Sequence, residues 1–360
     1  MLTDNQIKEI REHLNNAQNP VFFFDNDPDG LCSFLLLQRY IERGKGVAVK
    51  SYPEMNASYF RKVSELKADY VFILDKPVVG IDFFSEAAEK NIPVVWIDHH
   101  DNSHSTASAN VLELPENVYY YNPIFNTPSS SEPTTSLCYQ VISEGRKKED
   151  LWVAVVGCVA DWNVPNFYKH LKDTYPELYI NASEAPEILF NSEIGKIVRM
   201  LSFGLKDSTT NVVNMLKYLM KVKSPQDILV ENAKNRAMHE KFENINKKYL
   251  KFFEKAREIG NSLGKRKMLF FQYGGDLSIS SDISNELRYQ FPNKVIVVAY
   301  MKGAKANISV RGDKIRAPTL RAISELEGAT AGGHEDATGA KVNIEDLEKF
   351  RERLEREIVD

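Results

Sequence analysis

Cysteine is scarce in this chain of 360 residues: three thiols, Cys32, Cys138 and Cys158, at scattered spacings and with no Cys-x-x-Cys pair. An odd, dispersed set excludes a disulfide framework and a thiolate zinc site, and it predicts reduced thiols in a cytoplasmic protein. Long apolar runs are also missing. None approaches the ~18–20 residues that a membrane span requires, and Met1–Asn19 reads as a polar amphipathic helix with Ile7, Ile10 and Leu14 on one face, not as a signal peptide. Neither charge sign dominates, because 46 basic and 50 acidic residues leave a net charge of −4. That balance argues against tight nonspecific duplex binding, although cations inside an acidic cleft would reverse its local potential.

What the sequence does have is carboxylate at the ends of apolar runs. Val21–Phe24 gives way to Asp25-Asn26-Asp27-Pro28-Asp29-Gly30, and Pro93–Ile97 gives way to Asp98-His99-His100. Tyr70–Leu74 delivers Asp75, and the run Trp152–Ala160, read as a fourth strand, delivers Asp161. In open α/β sheets, ligands bind at the carboxyl ends of strands. Alternate strand residues share a face, so Asp25, Asp27 and Asp29 can act together while the chain stays extended, with Pro28 favouring that state and Gly30 permitting a turn.

So many acids at one sheet edge would repel and neutralise unless a cation sat among them. Aspartates mixed with two histidines suit Mn²⁺ or a similar first-row divalent ion better than Ca²⁺. Two ions are expected, because paired metals about 3.5–4 Å apart recur in phosphoester cleavage. Mg²⁺ or another divalent ion could serve in their place.

The motif Asp25-Asn26-Asp27-Pro28-Asp29-Gly30, the lone Asp75, Asp98-His99-His100, Asp161 and Gly332-Gly333-His334 follow one another in an order that resembles the DHH phosphoesterases with a DHH-associated C-terminal domain. The likeness runs from about residue 20 to 345. It implies that Asp27, Asp29, Asp75, His99 and Asp161 bind metal, with Asp75 bridging, that Asp25 joins them, and that His100 faces the scissile phosphate. Asp29, Asp75 and His100 are then the catalytic candidates. The Asp-x-Asp-x-Asp-Gly pattern resembles the RecJ exonuclease branch, whose archaeal members are linked to replication or repair, where other relatives place a histidine at the position of Phe23. Behind such a module, Gly332, Gly333 and His334 look like the family's substrate-binding loop. A glycine pair exposes N–H groups to an anion, and Arg311 at a strand end can grip phosphate by two parallel hydrogen bonds.

The remaining chain is read as a two-lobed α/β protein. Strand and helix signals alternate over residues 20–163, which implies βαβ units and a doubly wound, mostly parallel sheet. Residues 1–165 form the expected catalytic domain, 166–262 a helical connector, and 263–360 a smaller α/β domain that binds substrate. The loop from Tyr121 to Pro133 is long enough to suspect function. The lysine-rich stretch 231–257 reads first as a solvated connector and second as an electrostatic guide for single strands. Tyr119-Tyr120-Tyr121 reads as a strand before a loop, with base stacking as the alternative. His13, His104, His170 and His239 have no ligand partners at useful spacing, and Trp162 should pack behind the metal site.

The resulting expectation is a metal-dependent phosphodiesterase, first a RecJ-like exonuclease on single-stranded DNA or RNA. A short-oligonucleotide or cyclic-dinucleotide phosphodiesterase is the alternative. Single-stranded nucleic acid is the expected partner; a catalytically weak scaffold that binds a helicase or replisome protein is a third reading, which the full set of acids argues against, and no membrane association is expected.

Overall fold

The computed structural model describes residues 1–50, 55–101, 114–333 and 335–358. His104 and His334 lie outside the described residues. The chain forms two compact units, Met1–Phe242 and Glu243–Asp360, and the boundary falls within the helix Arg236–Ser262.

In the first unit the strands are β1 (Pro20–Asp25), β2 (Lys45–Val49), β3 (Tyr70–Leu74), β4 (Val94–Ile97) and β5 (Val118–Tyr121). They form one sheet in the order β2-β1-β3-β4-β5 with every pairing parallel. Aromatic and branched residues fill both faces, as a doubly covered sheet requires. Phe22, Phe24, Phe72, Leu74, Val95 and Ile97 face one buried core. Val21, Phe23, Val71, Ile73, Val94 and Trp96 face the other. The order reverses between β1 and β3, and an open α/β sheet forms its ligand crevice at the carboxyl ends beside such a switch point.

The run that delivers Asp161 is a helix, Leu151–Ala160, and not the expected strand. A wholly apolar segment has no period to distinguish the two states. This one is buried in the larger core against the helices Pro28–Ile41 and Thr134–Val141. Gly157 makes that packing close: a Cβ there would stand 2.2 Å from Thr135 Oγ1 and 2.8 Å from Cys32 Cβ. The region after residue 184 is helical but interrupted, with helices Ala185–Asn191, Glu193–Leu205, Thr209–Leu219 and Gln226–Leu229 before the long one. Ile188, Ile197, Leu201 and Leu216 are part of the first unit's core.

The second unit contains β6 (Met268–Gly274), β7 (Val295–Lys302), β8 (Lys305–Arg311), β9 (Thr330–Gly333) and β10 (Ala337–Asn343). Their order is β6-β7-β8-β10-β9, with β6 and β7 parallel and the other pairs antiparallel. Among the described residues no helix is long and apolar enough to cross a membrane. The three cysteines are free and buried.

Candidate metal centre

The chain stays extended only as far as Asp27, whose φ and ψ are −140° and 175°. Asp27 is the N-cap of the helix Pro28–Ile41, its Oδ1 accepting from the Gly30 N–H at 2.9 Å. Pro28 stands in the first turn, where a missing N–H costs nothing. Asp29 therefore reaches the site from a helix and not from the expected extended segment. Gly30 is required by contact: a Cβ would meet the Asp25 backbone oxygen at 2.6 Å and nitrogen at 2.7 Å. Without a side chain, the helix can start directly against the end of β1.

Asp75 follows β3 in the left-handed region, φ 60°, and its N–H donates to Ile97 O across the sheet at 3.0 Å. Left-handed backbone is uncommon for a residue with a side chain, and aspartate is among those that tolerate it best. His99 follows β4, and Asp161 caps the helix Leu151–Ala160. These elements converge. His99 Nε2 stands 3.5 Å from Asp75 Oδ1 and 3.7 Å from Asp161 Oδ2. Asp75, His99 and His100 offer donor atoms within 4.8 Å of one another, and so do Asp29, His99 and Asp161. The two groups share His99.

The electrostatics are those of a crowded anionic pocket. Burial first, then the charges of Asp25 and Asp29, raises the Asp27 carboxyl to about 7. Burial and then Asp29 and Asp27 raise both Asp75 and Asp161 well above the usual carboxylate range. At neutral pH the cluster would hold protons where a divalent cation would otherwise neutralise it. Oxygen and imidazole donors converging in this way fit a hard or borderline divalent ion.

Three further features are contacts that the sequence reading did not assign. The helix Thr134–Val141 aims its first N–H groups at Asp29: Thr134 N donates to Oδ2 at 3.0 Å and Thr135 N to Oδ1 at 2.8 Å. Thr134 Oγ1 also donates to Asp75 Oδ1 at 3.1 Å. The long loop before Pro133 hinted at a role, but nothing in it singled out these threonines. Asp98 is fully buried and bonds His100, accepting at 2.8 Å from Nδ1. Burial opposes charge on the imidazole, yet the Asp98 carboxylate and its hydrogen bond raise His100 to about 9. Finally, Lys76, 1% exposed, donates from Nζ to Asp25 Oδ1 at 2.9 Å and to Lys50 O at 3.3 Å. Asp25 thus carries a built-in cation, and neither converging group includes it.

Trp162 does not pack behind the site; it is 41% exposed, with left-handed φ of 59°, and its ring lies edge-on to Phe190. Tyr120 stacks on Trp96 with ring centroids 4.1 Å apart, and Tyr121 is buried with its hydroxyl donating to Glu9. His13 bonds the Tyr70 hydroxyl, and His239 bonds Ile228 O.

In the second unit, Arg311 ends β8 and pairs across the sheet with Ala337. Gly332 and Gly333 belong to β9, opposite Gly339 and Thr338, where a loop was expected. Glycine has no preference to mark it as strand, so the pairing partner decides. Gly333 needs its freedom: φ is 135°, and a Cβ would lie 2.5 Å from Ala337 O. Arg311 Nε donates to Asn285 Oδ1 at 2.6 Å. Burial lowers the Arg311 guanidinium to about 10, with Asp282 opposing.

Residues 21–160 match the DHH family, N-terminal domain, and residues 265–360 match the DHHA1 domain. The chain therefore belongs to the DHH family and has its phosphoesterase fold. Among solved structures it resembles RecJ from Thermus thermophilus in complex with Mn²⁺, at 15% identity and a TM-score of 0.62, covering 98% of this chain and 54% of that one. It thus spans about half the length of that relative. It also resembles an exonuclease RecJ bound to manganese, at 14% identity and a TM-score of 0.59, covering 98% of this chain and 93% of the other. A pGpG-specific phosphodiesterase, PggH from Vibrio cholerae, is similar at 13% identity and a TM-score of 0.50, covering 95% and 99%. At these identities the likeness concerns the fold. No curated protein matches the chain.

Proposed function

We propose that this protein is a metal-dependent phosphodiesterase, first a RecJ-like exonuclease that hydrolyses single-stranded DNA or RNA to mononucleotides. The observation that carries this reading is the convergence of Asp29, Asp75, His99 and Asp161 around shared donor distances at the sheet's switch point. Asp27, Asp29, Asp75, His99 and Asp161 would hold two divalent ions, Mn²⁺ first. Asp25, engaged by Lys76, would be a further member of the set. Bound divalent ions supply charge neutralisation and activation of water at a phosphodiester.

The chain's own residues do the rest. Thr134 and Thr135 fix both oxygens of Asp29, so its orientation is set before substrate arrives. Asp98 holds the His100 ring and keeps it protonated at neutral pH, which suits donation to a phosphate oxygen or to the departing oxygen. In the second unit, Arg311, Gly332, Gly333 and His334 are the proposed groups for neighbouring phosphates.

The test incubates the protein with Mn²⁺ and 5′-labelled single strands, from dinucleotides to about thirty nucleotides long, beside Asp29→Ala. Stepwise shortening of long strands by the wild type alone is the expected result. Cleavage confined to the shortest strands transfers the reading to a short-oligonucleotide phosphodiesterase. Equal activity in Asp29→Ala removes the metal-site assignment.

A further inference from the structure

A groove of about 540 Å³ runs along the free edge of the first unit's sheet. It is lined by residues of the edge strand β2 and of the helix Thr209–Leu219, and its apolar lining includes Val213, Leu216 and Met220. The volume lies within the range of small-molecule sites, roughly 300–1,000 Å³.

Two observations tie this groove to the metal centre. One wall residue is Asn26, which stands between Asp25 and Asp27. Another is Lys50, whose carbonyl accepts from the same Lys76 ammonium that holds Asp25. The groove thus reaches the residue between Asp25 and Asp27, and its lining includes β2 residues from Lys45 to Ala48.

Charge identifies the occupant. Lys45, Lys50 and Lys217 line the groove and are exposed, and none of the three has an ion-pair partner among the described residues. Lys62 also lines it but is paired with Glu65. Among the described residues the lining holds one acid, Asp207, which stands 3.4 Å from Lys241 and is offset by it. A rim of unpaired ammonium groups over an apolar floor suits a chain with regularly spaced phosphates and flat bases. An added peptide strand would instead use the backbone of β2, and a lysine on an edge strand discourages such pairing.

We propose that this groove is a track for single-stranded nucleic acid, holding nucleotides next to the scissile phosphate. Lysines would contact their phosphates, and the floor their bases. The proposal rests on the nuclease reading for its substrate, and it makes the catalytic unit itself select for strands longer than a dinucleotide.

Two variants of the full chain test it. Lys45→Glu with Lys217→Glu reverses charge at exposed positions, and Val213→Trp fills the groove without changing charge. The probe for binding is a fluorescent single strand of about twenty nucleotides in metal-free buffer, titrated over a range of salt. Both variants should weaken binding about tenfold, and the lysine pair should flatten the salt dependence by about 0.7 in log–log slope for each phosphate no longer neutralised. In Mn²⁺, the ratio of kcat/KM on the long strand to that on a dinucleotide should fall about tenfold. Unchanged strand binding in both variants overturns the proposal, as does a loss of cleavage equal for long strand and dinucleotide. If the variants keep strand binding but lose binding to an acidic peptide, the occupant is a protein segment and the proposal falls. A wild type that hydrolyses neither substrate defeats the nuclease reading, while the binding comparison still decides the groove.

Discussion

Lys76 and Asp25 form a buried ion pair at the edge of the acidic cluster, with side chains 2% and 12% exposed. Breaking a buried pair leaves one charge uncompensated, which costs about 3–5 kcal/mol. Lys76→Met should lose stability of that order in urea unfolding, and Lys76→Met with Asp25→Asn should recover much of it. Added Mn²⁺ should raise the Tm of Lys76→Met more than that of the wild type, because Asp25 then lacks its cation. Thr134→Val removes the hydroxyl that donates to Asp75. Loss of such a supporting hydrogen bond weakens metal affinity about tenfold or more, and calorimetric titration with Mn²⁺ measures it. The pH dependence of the metal-free protein follows from the same cluster. Asp27 is raised from 3.8 to about 7 and His100 from 6.5 to about 9, so the folded state binds more protons than the unfolded chain between those limits. Stability then falls as pH rises: the Asp27 contribution is lost from about pH 4 to 7, and the His100 contribution between about 6.5 and 9. Thermal melts without metal should show Tm declining from pH 5 to pH 9, and Mn²⁺ should flatten the decline. A metal-free Tm that rises across this range would contradict the cluster as described.

Among the secondary-structure elements, the helices Pro28–Ile41, Thr134–Val141 and Leu151–Ala160 act as one packed group that presents Asp29, the two threonines and Asp161. Their spacing depends on Gly157, where any Cβ collides with Thr135 and Cys32. Gly157→Ala should cost about 1–3 kcal/mol through overpacking, read by urea unfolding. Because Thr135 also holds Asp29, the same variant should weaken Mn²⁺ binding. The parallel strands were legible from their short β-forming runs, and so were the acids at the ends of β1, β3 and β4. The helix Leu151–Ala160 was not, since its residues are apolar all round and only the neighbouring helices decide its state. β9 was hidden for the opposite reason: Thr330–Gly333 carries almost no side chain to read, and its strand exists by pairing with β10.

For the molecule as a whole, the residues expected at the metals all belong to Met1–Phe242, and those expected at the substrate belong to Glu243–Asp360. The two roles should therefore separate under mutation. Arg311→Ala should raise KM for an oligonucleotide about tenfold, the loss of roughly one charge-assisted phosphate contact, and leave Mn²⁺ affinity unchanged in calorimetry. A fall in metal affinity equal to the fall in substrate affinity would show that Arg311 acts through the fold of the chain.

The order of residues was enough for the α/β class and the parallel sheet, and it placed Asp25, Asp75 and Asp98 at the ends of apolar runs as candidates, because acids that interrupt such runs declare themselves one strand at a time. What those acids touch came from folding. That Lys76 neutralises Asp25, that Thr134 and Thr135 orient Asp29, and that a lysine-rimmed groove begins at Asn26 depend on residues far apart in the chain. Their side chains are ordinary in sequence, and only the packing of sheet and helices brings them to one place.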